Sequence, residues 1–178
     1  MHKPSNFTIE LADISDIDAI YSTMQAVSAY TDSELYVYPT MDSLRRRFAN
    51  HTGFVLIARE SSSARVAAVL TTLIPRLDKS NLGWELGMSE DELMNVIEIE
   101  NTAVRKEYRG NGLQRRMGEM AEGIIAQRGL HPILCSIHPK NKYSLQNALA
   151  GGYTEVKRCK LYGGKERLIL RKETAYVI

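Results

Sequence analysis

Cysteine is scarce in this 178-residue chain: Cys135 and Cys159 are the only two. A disulfide framework needs more of them, and no CxxC or His/Cys pair has metal-ligand spacing, so both are expected as reduced core thiols and no metal is expected. Long apolar runs are missing as well. None approaches the ~20 residues that cross a bilayer, and the opening MHKPSNFTIE lacks the apolar stretch and cleavage site of a secretory signal. A cytoplasmic protein without a membrane partner is the expectation. Net charge is only +2, which excludes a chain built throughout to coat nucleic acid. No repeat, low-complexity tract or long linker divides the sequence, so residues 1–178 are read as a single domain.

What is present is the balance of a globular protein, 44% apolar and 25% charged. Alternation and β-branched content predict a strand over 7–13, further strands are read over 53–60, 65–74, 96–104, 153–160 and 166–172, and the short apolar run 132–137 is read as a buried strand. The polar turn 61–64 makes 53–74 a hairpin. A helical stripe of Ile17, Ile20, Met24 and Val27 follows Ser15 or Asp16 as cap, and a second helix near Asp42 carries Leu44 and Phe48. Ser89 to Glu92 has capping-box spacing, which predicts a short helix. A longer helix runs from Gly112 to about Arg128 with Leu113, Met117, Met120, Ala121, Ile124 and Ile125 on its stripe, ended by Gly129. Another runs from Asn141 to about Ala150 and stops at Gly151-Gly152. Met88, Met94, Met117 and Met120 are read as core or pocket lining. The order is β-α-α-β-β-β-α-β-α-β-β, an α/β (mixed α+β) domain with a mixed sheet.

Charge is concentrated at one place. Arg105, Lys106, Arg109, Arg115 and Arg116 fall within the twelve residues RKEYRGNGLQRR, between a predicted strand and a predicted helix. A helix N-terminus leaves backbone N–H groups unpaired and carries roughly half a positive charge. Glycine lets a phosphate come close to that backbone. Arg109-Gly110-Asn111-Gly112-Leu113-Gln114 supplies this geometry, the Arg115 and Arg109 side chains add charge, and the junction is read as a diphosphate cradle. A nucleotide-hydrolysing P-loop would need GxxxxGK and then Ser or Thr, which the sequence lacks. A dinucleotide site would need a third glycine and an early βαβ unit.

The stretch resembles motif A of the GNAT N-acetyltransferase superfamily, R/Q-x-x-G-x-G/A after the fourth strand. Glu107-Tyr108-Arg109 and Gly112 match its usual form, and Gln114 departs from the final Gly or Ala. Downstream, Asn141-Lys142-Tyr143-Ser144 and Gly152-Tyr153 are similar to the family's N-x-x-A and GF segment. The resemblance implies the GNAT fold, a mixed central sheet of about six to seven strands flanked by about four helices. It also implies acetyl-CoA as acyl-donor cosubstrate. The pantetheine arm would run beside Ala103, Val104 and Arg105 like an added strand, and Asn141 and Ser144 would contact the pantetheine or the thioester end.

In this family an amine attacks the thioester directly in a ternary complex, a carboxylate takes its proton and a tyrosine protonates the thiolate. Glu98 and Glu100 project from one face of the strand before Val104, and both are candidate bases, with Glu100 nearer the expected thioester. The family's tyrosine position holds Ala148. Tyr143, Tyr153, Tyr162 or a water are the substitutes. His131 and His138 form no triad. The insertion 75–93, with Trp84 and the acids Glu85, Glu90, Asp91 and Glu92, is placed to close over an acceptor or to stand as a solvated helix start. The function expected is acetyl transfer to a primary amine of unidentified kind. The alternative is a catalytically weak acyl-CoA-binding or sensing module of the same fold. No nucleic-acid partner is expected, and the chain is read as a monomer or homodimer.

Overall fold

The computed structural model describes residues 6–174. Its strands are β1 (Phe7–Leu11), β2 (Val55–Glu60), β3 (Val66–Leu73), β4 (Ile97–Val104), β5 (Ile133–Ile137), β6 (Thr154–Leu161) and β7 (Lys165–Lys172). Its α-helices are α1 (Ile17–Ser28), α2 (Met41–Asn50), α3 (Glu90–Leu93), α4 (Leu113–Gln127) and α5 (Lys142–Ala150). The seven strands are ordered β1-β2-β3-β4-β5-β7-β6 in one mixed sheet. Every predicted element is present in its predicted place. The chain divides into two compact units: residues up to Thr72 with Asn101–Ala121, and Leu73–Glu100 with the chain from Glu122 onward.

In the first unit, β1, β2 and β3 form an antiparallel meander with Ile9 opposite Ala58 and Ile57 opposite Val69. β2 and β3 are apolar on both faces and almost wholly buried, as strands covered on both sides must be. The α1 stripe packs Ile20, Met24 and Val27 against Leu44 of α2 and against Val55, Ile57, Val66, Val69 and Ala103. Neither Ser15 nor Asp16 supplies the cap that starts this region. Asp13 accepts from the Ser15 N–H and the Asp16 carboxylate returns to the Asp13 N–H, closing a box around a single 3₁₀ turn, Ile14–Asp16, before α1. The box needs a side chain two residues ahead of the donor it serves, which places the cap earlier than the helical stripe suggests.

In the second unit, β5 pairs antiparallel with β7, and β7 with β6, whose register slips between Glu155 and Lys157. The parallel pairing of β4 with β5 is made by Ile97 opposite Ile133 and Glu98 opposite Leu134. Leu82, Met88, Leu93, Val96, Leu134 and Ile169 form the core. Met88 and Met117 are buried, whereas Met94 and Met120 are each 37% exposed, so two of the four methionines do not serve the core. Met94 closes the short α3 as its C-cap, and Met120 lies one position off the buried α4 line of Leu113, Met117, Ala121 and Ile125.

The insertion ahead of β4 is organised by one buried amide. Asn81 accepts from the Gly83 N–H at 2.8 Å and donates to the carbonyls of Arg76 and Leu93 at 2.6 and 3.3 Å. Ser89 and Glu92 then close the predicted capping box at α3. Removing the Asn81 amide strands buried backbone groups that water cannot reach. Asn81→Ala is expected to lower stability by about 2–3 kcal/mol, read as a fall in the urea midpoint with little change in slope.

Candidate functional site

The junction between β4 and α4 lies wholly in the first unit and is braced from below. The Arg105 N–H donates to the Ala67 carbonyl at 3.0 Å, which carries β4 to its last residue. A 3₁₀ turn, Lys106–Tyr108, then buries the Tyr108 ring edge-on against Phe7 with centroids 5.7 Å apart. Its hydroxyl donates to the Glu60 carboxylate at 3.1 Å, and burial, then that contact, raises the phenol's pKa. Arg109 is extended, and Gly110 and Gly112 both take left-handed backbone, φ +82° and +66°. Asn111 folds its amide back onto the Tyr108 carbonyl at 3.0 Å. Leu113 sends its side chain into the core and leaves its backbone at the first turn of α4.

A Cβ added at Gly110 or Gly112 would meet no protein atom within 4 Å. The loop is thus not close-packed against the protein at these glycines. What they require is the left-handed backbone, and what they leave is open space beside the N-terminus of α4. That arrangement fits an anion approaching the backbone, the geometry a diphosphate needs.

The cations of the run divide into two groups. Arg105 is committed inside: its guanidinium donates to Thr23 Oγ1, the Val66 carbonyl and Ser22 Oγ. Arg116 donates to the Phe7 carbonyl. These two hold β3, α1 and β1 around the junction. Arg109 instead lies 5.0 Å over the ring of Tyr30, and Arg115 is 76% exposed beside Glu119. Arg105 is thus held by three side-chain hydrogen bonds, and its backbone N–H is taken by β3. Ala103 is fully buried and Val104 half-buried. The Val104 carbonyl accepts from the Tyr30 hydroxyl at 3.1 Å.

Sequence reasoning missed the partners of β4 in this unit. Asn101 is buried, accepts from the Tyr36 hydroxyl at 2.9 Å and donates to the Val37 carbonyl at 2.8 Å. With Tyr30 it ties the α1–α2 segment to the strand. Tyr36 stacks on Tyr38, whose ring meets Tyr21. The separation of 64 to 74 residues leaves no local pattern that could have shown these bonds.

The second unit holds the two glutamates. Glu98 is 5% exposed and accepts from the Leu82 N–H at 2.8 Å, so it fastens the insertion to β4. Glu100 is half-buried. Of the three candidate tyrosines, Tyr143 is 84% exposed on α5 and Tyr153 is buried beside Lys172, its pKa pushed far up by burial. Tyr162, in the β6–β7 turn, shares a 2.8 Å hydrogen bond with Ser136 of β5 and carries the Arg167 guanidinium 5.4 Å over its ring. Burial of its hydroxyl raises its pKa, as do the charges of Glu98 and Glu100, against the Ser136 bond and Arg167. Tyr162 thus feels the charge of both carboxylates while the residue as a whole is 49% exposed. Asn141 and Ser144 are joined to each other: the Asn141 side chain caps α5 by accepting the Ser144 N–H at 3.3 Å. His138 Nδ1 accepts the Lys140 N–H, a loop-closing role. Lys157 pairs with the Glu85 carboxylate of the insertion at 2.9 Å.

The sequence matches no family model and no curated protein. Solved structures do resemble the fold. An acetyltransferase of the GNAT family from Streptococcus pneumoniae superposes with a TM-score of 0.74 at 14% identity, covering 96% of this chain and 100% of that one. The ribosomal-protein-S18-alanine N-acetyltransferase from Escherichia coli gives 0.69 at 14% identity, covering 97% of each chain. A protein from Salmonella typhimurium assigned as an acetyltransferase, solved with its cofactor acetyl-CoA, gives 0.71 at 17% identity over 95% of this chain and 94% of that one. The fold expected from the motif is the fold found: this chain has the GNAT fold.

Cys135 supplies a test of the second unit's interior. Burial, and after it the charge of Glu98, pushes its thiol up from 9.0 to about 12. Above pH 9 the unfolded chain gives up a proton that the native chain keeps, so the native state binds more protons there and loses stability as pH rises from about 9 toward 12. At pH 8 a thiol reagent should leave Cys135 unmodified in the native protein and modify it promptly in urea. Mass mapping of the labelled cysteines checks this.

Proposed function

We propose that this GNAT-fold chain is an acetyl-CoA-dependent N-acetyltransferase acting as one acyltransferase domain on a primary amine. The observation that carries the reading is the braced junction at Gly110 and Gly112, open beside the N-terminus of α4. The N–H groups from Gly110 through Asn111, Gly112, Leu113 and Gln114 to Arg115 would receive the diphosphate, and Arg109 and Arg115 are the side chains whose charge is available to it. The backbone of β4 at Ala103 and Val104 would take the pantetheine arm. Arg105 we assign to holding the strand in place. Asn141 and Ser144 keep the thioester-end assignment through the atoms left over from their cap.

The acetyl thioester supplies the electrophile. A protonated amine has no lone pair to attack with, so a carboxylate has to take its proton. Glu100 is the better base. Glu98 is nearly closed to solvent and has one oxygen committed to the Leu82 N–H, whereas Glu100 is half-buried. Attack forms the amide C–N bond, breaks the C–S bond and sends the electron pair to sulfur. With Ala148 at the usual tyrosine position, Tyr162 is the tyrosine that shares a hydroxyl pair and the field of both carboxylates, and we assign it the proton for the thiolate. The competing reading, a weak acyl-CoA-binding or sensing module, is favoured by that same Ala148. It predicts binding without release of free thiol across a panel of amines.

Two measurements test the assignment. Acetyl-CoA at millimolar concentration should raise the melting temperature, since it binds only the folded chain. Gly112→Val should remove that shift, because a β-branched residue is badly strained at φ +66° and its methyls would fill the diphosphate's space. A folded variant that binds normally places the diphosphate elsewhere.

Once an acceptor is found by thiol release, Glu100→Gln should lower turnover at least roughly tenfold while leaving acetyl-CoA affinity nearly unchanged, within the ~10²–10⁴-fold range of general-base loss. Glu98→Gln should cost less in turnover and more in stability. Equal rates in all three proteins would remove both glutamates from the proton path.

A further inference from the structure

We propose that Tyr30 is a positioning residue that sets Arg109 for the diphosphate before any ligand arrives. The inference rests on the cradle reading above and adds a residue that no motif contains. Arg109 is an exposed arginine on an extended residue between a 3₁₀ turn and a left-handed glycine. Such a side chain samples many rotamers, and an anion that captures it must offset their loss.

Here the guanidinium is already placed, 5.0 Å over the centre of the Tyr30 ring, where the ring's negative face attracts it. The ring is itself fixed. A tyrosine has two side-chain torsions, and the far end of this one is bonded to the Val104 carbonyl at 3.1 Å. Val104 is the last residue of β4, and Arg109 stands five residues further on, so one ring spans the strand end and the loop. Its backbone is constrained too. Tyr30 follows α1 and donates its N–H to the Val27 carbonyl, and a few residues on, Tyr36 and Val37 are bonded to Asn101 of the same strand. Strand, phenol and guanidinium thus form a chain of supports, each fixing the next.

The chain of supports has an order, and the order is testable. If Tyr30 acts through Arg109, its effect on coenzyme A affinity disappears when the guanidinium is gone. Isothermal titration with coenzyme A would be run on wild type, Tyr30→Phe, Tyr30→Leu, Arg109→Gln and the Tyr30→Leu/Arg109→Gln pair. Tyr30→Leu, which removes the ring face, is expected to raise Kd about 2- to 5-fold. Tyr30→Phe keeps the face, loses the Val104 anchor and should fall between it and wild type. In the Arg109→Gln background, Tyr30→Leu should have no further effect. An unchanged Kd for Tyr30→Leu, or the same loss in both backgrounds, overturns the proposal, since the second result would make Tyr30 a general support of the segment. Should Tyr30→Leu fail to fold, Tyr30→Phe and Tyr30→Trp carry the test. The indole face holds a cation better, so Trp should bind tighter than Phe with Arg109 present and equally without it. Wild type that binds no coenzyme A takes down the cradle and this inference together. Wild type that binds, with Tyr30 variants that match it, takes down this inference alone.

Discussion

Two left-handed residues separated by one position, Gly110 at φ +82° and Gly112 at φ +66°, are the constraint on which the β4–α4 junction depends. β4 has to give way to α4 within eight residues, and the two glycines make that change of direction. A side chain at either glycine would have to be forced into a conformation that L-residues rarely take. The surrounding bonds then hold that loop in place. Tyr108 anchors it to β1 and β2, Asn111 closes it on itself, and Arg105 and Arg116 tie its two ends to neighbouring elements. Four side chains are thus used to stabilise one short stretch of backbone, and none of their charges or hydroxyls is spent on its open side.

The second unit follows the opposite logic. There a charge is taken inside: Glu98 lies nearly closed to water and is used to hold the insertion ahead of β4. A carboxylate so placed adds to the cost of ionising its neighbours: burial is the main reason Cys135 and Tyr162 are shifted toward their neutral forms, and the charge of Glu98 reinforces it. Glu100, two residues on and on the same face of the strand, stays in partial contact with solvent. One strand therefore carries two glutamates of different character, and the alternation of side chains along it is what puts them side by side.

The fold was largely legible in the sequence because it is written in local patterns. The two-residue alternation of β2 and β3, the apolar stripes of α1 and α4, and glycines at the ends of α4 and α5 each decide their own segment without help from distant residues. The glycine pair and its arginines were legible for the same reason. What the sequence could not show is how those arginines are used. Arg105 and Arg109 look alike in the run RKEYRGNGLQRR, yet one is buried in bonds to α1 and β3 and the other rests on a ring. That difference is made by Thr23, Ser22 and Tyr30, some 80 residues earlier, and spacing along a chain carries no record of such pairings. The Asp13 cap and the exposed Met94 and Met120 were misjudged on a smaller scale, where a shift of one or two positions changes which side chain meets the core.

The slip in register between Glu155 and Lys157 has a meaning for the protein in concentrated solution. β6 is the last strand of the sheet, and an open edge offers its unpaired N–H and C=O groups to any other chain able to lie alongside. A bulge spoils the regular spacing that such a visitor would need, and Arg158 and Lys160 put positive charge on the same strand. Two copies meeting edge to edge would have to align mismatched backbones and press like charges together. The β6 edge of this sheet is in that sense guarded against a second copy pairing along it.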